Sequence, residues 1–121
     1  MIKDIKIGNK LIGEKHPVFI IAELSANHGQ NFNIAKKTIK AIKESGADAV
    51  KLQTYTPDTI TIDCKNKYFK IKQGTIWDGK YLYDLYQEAY TPWKWQPKLK
   101  NYAENLGLIC FSSPFDKTAV D

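Results

Sequence analysis

The stretch Gly46-Ala47-Asp48-Ala49-Val50-Lys51-Leu52-Gln53-Thr54-Tyr55 decides the fold. It is an apolar run of strand length that contains one lysine and one amide. Successive side chains of a strand point to opposite faces, so Lys51, Gln53 and Tyr55 share one face. Val50, Leu52 and the Thr54 methyl share the other. A buried parallel strand is ordinarily apolar on both faces. Here one face turns polar toward the C-terminal end, which is where α/β folds bind ligands. The plainer alternative is an edge or half-exposed strand whose Lys51 simply faces water.

Upstream, Val18-Phe19-Ile20-Ile21-Ala22 is a continuous apolar run, the pattern of a fully buried strand. It ends in Glu23 and passes into Leu24-Ser25-Ala26-Asn27-His28-Gly29. A carboxylate followed by small and polar residues suits the rim of an active site, although Glu23 also reads as a surface residue at a strand end. His28 has no partner at metal-ligand spacing and reads as a residue that shapes the loop. The spacing predicts a helix over Asn33–Ser45, capped by Asn31 or Asn33. Its apolar stripe is Ile34, Ala35, Thr38, Ile39, Ala41 and Ile42, and its lysines face solvent. Gly46 suits the residue just past the helix end. Strand, loop, helix, tight turn and strand make a right-handed βαβ unit with parallel strands. Before it, residues 2–7 alternate apolar and charged, and Gly8-Asn9 is a turn pair. With a return strand over Lys10 to Gly13 they form a small hairpin that closes one end of a larger fold.

Downstream, residues 56–80 read as a long, irregular, basic excursion interleaved with aromatics, which places a substrate loop directly after the polar strand end. Lysine among aromatics also fits single-stranded nucleic acid. A short helix follows over Tyr81–Ala89. Thr91-Pro92 opens another, with Thr91 as cap, and Pro97 requires either a separate first turn or a kink. Leu99, Tyr102, Ala103 and Leu106 form its buried stripe, Trp93 and Trp95 read as packing, and Gly107 ends it. Leu108-Ile109-Cys110-Phe111 is the third buried strand. It leads into Ser112-Ser113-Pro114-Phe115-Asp116, where hydroxyls and backbone amides can hold a phosphate. Asp116 alternatively caps a helix starting near Lys117.

Composition narrows the function classes. The 121 residues are 43% hydrophobic and 26% charged, which fits a folded globular protein. The net charge is +5, and all 18 basic residues are lysine. Nucleic-acid readers rely on arginine for bidentate contacts, so its absence argues against that class and leaves a small anionic substrate. Cys64 and Cys110 lack metal spacing and read as reduced thiols of a cytoplasmic protein. No apolar run approaches the length of a membrane span.

Three strands therefore end in polar groups: Glu23, then Lys51 and Gln53, then Ser112 and Ser113. If the strands are parallel, these ends share one rim, as on the catalytic face of a (β/α)8 barrel. Such a barrel needs about 250 residues. The expected fold is thus α/β: a small N-terminal β-hairpin followed by about three βα units, the N-terminal part of a TIM barrel.

The residues also resemble a known family. Ile20 to Gly29, Val50 to Tyr55 and Phe111 to Asp116 are similar, in order and spacing, to the first three strand motifs of the sialic acid synthases. Within that family, Thr75 to Tyr86 and Tyr90 to Trp93 are most like the pseudaminic acid synthases. The resemblance implies condensation of phosphoenolpyruvate with an N-acetylated amino sugar to give a nine-carbon 2-keto acid and phosphate. It implies that Lys51 binds phosphoenolpyruvate and Ser113 its phosphate. Glu23 and Gln53 contact the sugar or the attacking water, and Asn27, Tyr55 and Ser112 belong to the substrate-binding set. It further implies a divalent metal (Mn, Mg or Co) in the complete enzyme, held by histidines of later strands and not by these residues. A C-terminal antifreeze-like domain and a homodimer are implied as well. Two other classes stay open: a barrel aldolase whose Lys51 forms a Schiff base, and a non-catalytic barrel remnant.

Overall fold

The computed structural model describes residues 3–121. Met1 and Ile2, the latter being the first residue of the expected N-terminal alternation, lie outside the described residues. Strands β1 (Ile5–Ile7) and β2 (Lys10–Ile12) form an antiparallel hairpin. Gly8 turns it at φ +59°, a left-handed conformation that glycine adopts without penalty. The turn sits against the start of the last strand: a Cβ on Gly8 would lie 3.0 Å from Ile109 Cδ1. The hairpin therefore closes the end of the sheet opposite the polar strand ends.

Strands β3 (Ile21–Glu23), β4 (Ala49–Thr54) and β5 (Ile109–Pro114) form a parallel sheet in the order β3-β4-β5. Helix α1 (Phe32–Glu44) connects β3 to β4. The connection from β4 to β5 carries α2 (Pro57–Ile60), α3 (Leu82–Ala89) and α4 (Gln96–Asn105). Asn31 is the α1 cap, its side chain accepting from the amides of Asn33 at 3.0 Å and Ile34 at 3.1 Å. A 3-10 turn over Trp93–Trp95 precedes α4, so Pro97 falls in the first turn of a new helix, where its missing N–H breaks nothing.

The core lies between one face of the sheet and the helices. Val50, Leu52 and Leu108 pack against Ala35 and Ile39 of α1, Leu99 and Ala103 of α4, and Leu24. Each fully buried aliphatic side chain contributes about 1.5–3 kcal/mol relative to exposure. Ile34 and Ala41, expected on the α1 stripe, are exposed, because the buried arc of α1 centres on Ala35 and Ile39.

Two expectations about the strands need correction. The run Val18–Ala22 is not a buried strand throughout. β3 begins only at Ile21, and Val18 is 82% exposed. The cause is its edge position, with β4 as its only hydrogen-bonded neighbour among the described residues. The third strand is longer than Leu108–Phe111 and runs on through Pro114, carried by its register with β4.

The basic excursion is more ordered than its composition suggests. Asp78 accepts from the amides of Gln73, Gly74 and Thr75 at 3.0–3.1 Å, and these bonds hold its carboxyl below the usual range. Of its lysines, Lys65 pairs with Asp84 and Lys80 with Glu88.

Candidate active site

The register of the parallel sheet assembles the site. Glu23 pairs with Lys51 and Lys51 with Phe111; one row further on, Gln53 pairs with Ser113. Paired residues of neighbouring parallel strands point to the same face. Glu23, Lys51, Gln53 and Ser113 therefore project from the face opposite the helical core, at the C-terminal end of the sheet. Lys51 Nζ lies 2.7 Å from Glu23 Oε1, with the two side chains 28% and 49% exposed. An ammonium has three donors, so Lys51 can keep Glu23 and still hold an anion.

The strand ends are fixed from behind. The Gln96 amide donates to Gln53 O at 2.9 Å, and Trp93 Nε1–H donates to Tyr55 O at 3.0 Å. The amides of Leu24 and Phe115 donate to Lys51 O at 3.1 Å and Thr54 O at 3.2 Å. The rim backbone is thus tied to α4 and to its two neighbouring strands, which leaves the inward side chains to act.

Three predicted residues sit elsewhere. Ser112 is in register with Leu52 and shares its helix-facing side, where its hydroxyl meets Thr54 Oγ1 at 2.7 Å. Adjacent residues of a strand alternate, so only one of the two serines can face inward. Tyr55 lies beyond the last residue of β4 and is 2% exposed, with its ring edge-on to Tyr86 and Phe115 at 5.5 Å each. Burial pushes its phenol up to about 12. Asn27 is exposed in the β3–α1 loop. Asp116 does cap the turn that follows β5, accepting from the Thr118 amide at 3.0 Å.

His28 is fully buried, its ring bridging Gln30 and Thr91. Thr91, expected as a helix cap, instead spends its hydroxyl on this contact, and Pro92 takes the position before the 3-10 turn. The partners are 63 residues apart, and no local pattern signals such a bond. Among the described residues, no three His, Cys, Asp or Glu side chains come together as a metal site. Among the same residues, no helix is long and apolar enough to cross a membrane.

A parallel βα sheet whose C-terminal rim gathers a lysine, a carboxylate, an amide and a hydroxyl has the layout of the α/β barrel class, whose sites lie at that end of the strands. The particular family follows from the sequence: the NeuB family model matches residues 38–121, and the chain belongs to that family. It is 50% identical over 117 residues to pseudaminic acid synthase of Campylobacter jejuni, covering 97% of this chain and 33% of that protein. It is 54% identical over 105 residues to pseudaminic acid synthase of Helicobacter pylori, covering 87% of this chain and 31% of that protein. The crystal structure of the N-acetylneuraminic acid synthetase of Leptospira borgpetersenii, in complex with citrate, superposes with a TM-score of 0.76 at 29% identity. The match covers 98% of this chain and 36% of that one. The hairpin and parallel βα units are thus the N-terminal part of a (β/α)8 barrel. The chain spans about a third of the length of the curated relatives it matches.

Proposed function

We propose that the protein carrying this chain condenses phosphoenolpyruvate with a di-acetamido amino sugar, releasing phosphate and a nine-carbon 2-keto acid, as a pseudaminic acid synthase does. The observation that carries the reading is the Lys51–Glu23 pair, one row before Gln53 and Ser113, in a chain half identical to such synthases.

Phosphoenolpyruvate is a small, highly charged anion. Lys51 supplies the cation that holds it, and the Ser113 hydroxyl donates to its phosphate. Glu23 takes the proton of the water that attacks the enol ether carbon, and Gln53 orients that water or the sugar. Asn27 meets the sugar from the rim loop. Tyr55 and Ser112 act at one remove: the Tyr55 ring backs the strand end, and Ser112 braces Thr54. The Lys51–Glu23 pair also favours this chemistry over a Schiff base, which needs a neutral, unpaired amine.

Residues 1–121 form part of a synthase domain whose remaining strands, with a C-terminal antifreeze-like domain, complete a cytoplasmic homodimer. Family membership implies a divalent metal (Mn, Mg or Co); among the described residues no three His, Cys, Asp or Glu side chains come together to hold it, and the reading assigns its ligands to other residues of the enzyme. The test is to incubate the intact enzyme with phosphoenolpyruvate and a panel of mono- and di-acetamido sugars. The expected result is equal release of phosphate and 2-keto acid, with the di-acetamido sugar used best. Phosphate release independent of sugar, or a borohydride-trapped adduct on Lys51, would contradict the reading.

A further inference from the structure

We infer that His28 and Thr91 form a clasp that positions the β3–α1 loop against the amino-sugar substrate. The inference rests on the function proposed above. His28 Nδ1 accepts the Gln30 amide at 3.0 Å, so that nitrogen carries no proton. The neutral ring then holds its proton on Nε2 and donates it to Thr91 Oγ1 at 2.7 Å. Burial pushes the imidazole below its ordinary range, in keeping with this neutral form. Trp95 stands edge-on to the ring, with centroids 5.6 Å apart, and closes it from water.

The loop held in this way is in a demanding conformation. Ser25 has φ 50° and Gln30 φ 52°, both left-handed, and Gly29 has φ 53°. Left-handed backbone at non-glycine residues persists where the surroundings fix it, and it concentrates at functional sites. The restraint is visible. Besides the His28 contacts, Gln30 Nε2 donates to Gln87 O at 3.2 Å and to Tyr90 O at 3.0 Å. The hydrogen-bond partners outside the loop, Gln87, Tyr90 and Thr91, all lie within residues 87–91, at the junction of α3 with the turn before α4. The loop starts directly after Glu23 and carries the exposed Asn27. The clasp thus locks the rim of the first βα unit to the second, and none of its hydrogen bonds involves Lys51 or Ser113. It is a positioning device for one substrate and leaves the other alone.

The test uses the intact enzyme and the variants Thr91→Val, Thr91→Ser and Gln30→Ala. The first removes the acceptor, the second keeps it, and the third removes only the side-chain ties to α3. Amide hydrogen exchange in residues 25–30 should rise in Thr91→Val and Gln30→Ala, while the β4 amides keep their protection. KM for the amino sugar should rise about tenfold in Thr91→Val, as expected for one unmade buried hydrogen bond. KM for phosphoenolpyruvate should stay within about twofold, and Thr91→Ser should restore both values. If Thr91→Val does not fold, Gln30→Ala carries the test with the same selective pattern. Unchanged loop exchange, exchange that rises equally in β4, or equal changes in both KM values would overturn the inference. If the enzyme proves not to use phosphoenolpyruvate and a sugar at all, the exchange result still stands by itself, so failure of the clasp and failure of the proposed function are told apart.

Discussion

Glu23 and Lys51 face each other across the β3–β4 register pair, and their side chains close to 2.7 Å at the C-terminal end of the sheet. A half-exposed ion pair of this kind adds only about 0–1 kcal/mol to stability. Its place on the rim therefore calls for a chemical explanation. Glu23→Gln keeps the shape and removes the base. We expect a thermal midpoint close to that of the parent enzyme and turnover lowered at least about 100-fold. Thermal melts alongside steady-state kinetics check this; a large loss of stability with intact turnover would make the pair structural.

His28 makes folding sensitive to pH. Its imidazole titrates below its ordinary 6.5 because burial disfavours the charged ring. The unfolded chain therefore binds the proton more readily than the folded one. The His28 contribution is present in full above pH 6.5 and is lost as pH falls through the folded value. Thermal midpoints taken across this range should fall on the acid side in the parent enzyme and fall less in His28→Gln. Parallel curves for the two proteins would show that His28 is not the titrating group.

How much of this was legible in the sequence depends on the range of each interaction. The hairpin at Gly8-Asn9, the α1 cap at Asn31 and the new helix at Pro97 are local, and their residues specify them nearly alone. The inward face of β4 follows from alternation. Alternation could not say which of Ser112 and Ser113 joins it, because that depends on register with β4, which is a tertiary fact. The same rule misplaced Tyr55, since the strand ends at Thr54 and the aromatic partners Tyr86 and Phe115 capture the ring. The His28–Thr91 bond spans most of the chain and left no local signal. That His28 shapes its loop was legible from its lack of a metal-spaced partner, but the residue it would bond to was not.

The sheet has two open edges among the described residues, β3 and β5. Its inner face also leaves large apolar side chains bare, with Ile21 45% and Phe111 38% exposed. Unpaired edges and bare apolar faces recruit other chains. Residues 1–121 expressed alone should therefore self-associate. Size-exclusion chromatography with light scattering reads this directly, and a monodisperse monomer with a sharp thermal transition would show that three strands suffice.

The most direct test of the central claim is the kinetics of Lys51→Ala in the intact enzyme, measured against each substrate in turn. Lys51 is assigned to the anionic substrate, and a charge-assisted hydrogen bond contributes on the order of 1.5–3 kcal/mol. The account predicts that kcat/KM for phosphoenolpyruvate falls about 10- to 100-fold, with a much smaller change in KM for the amino sugar. Unchanged turnover and unchanged apparent affinity for phosphoenolpyruvate would contradict it.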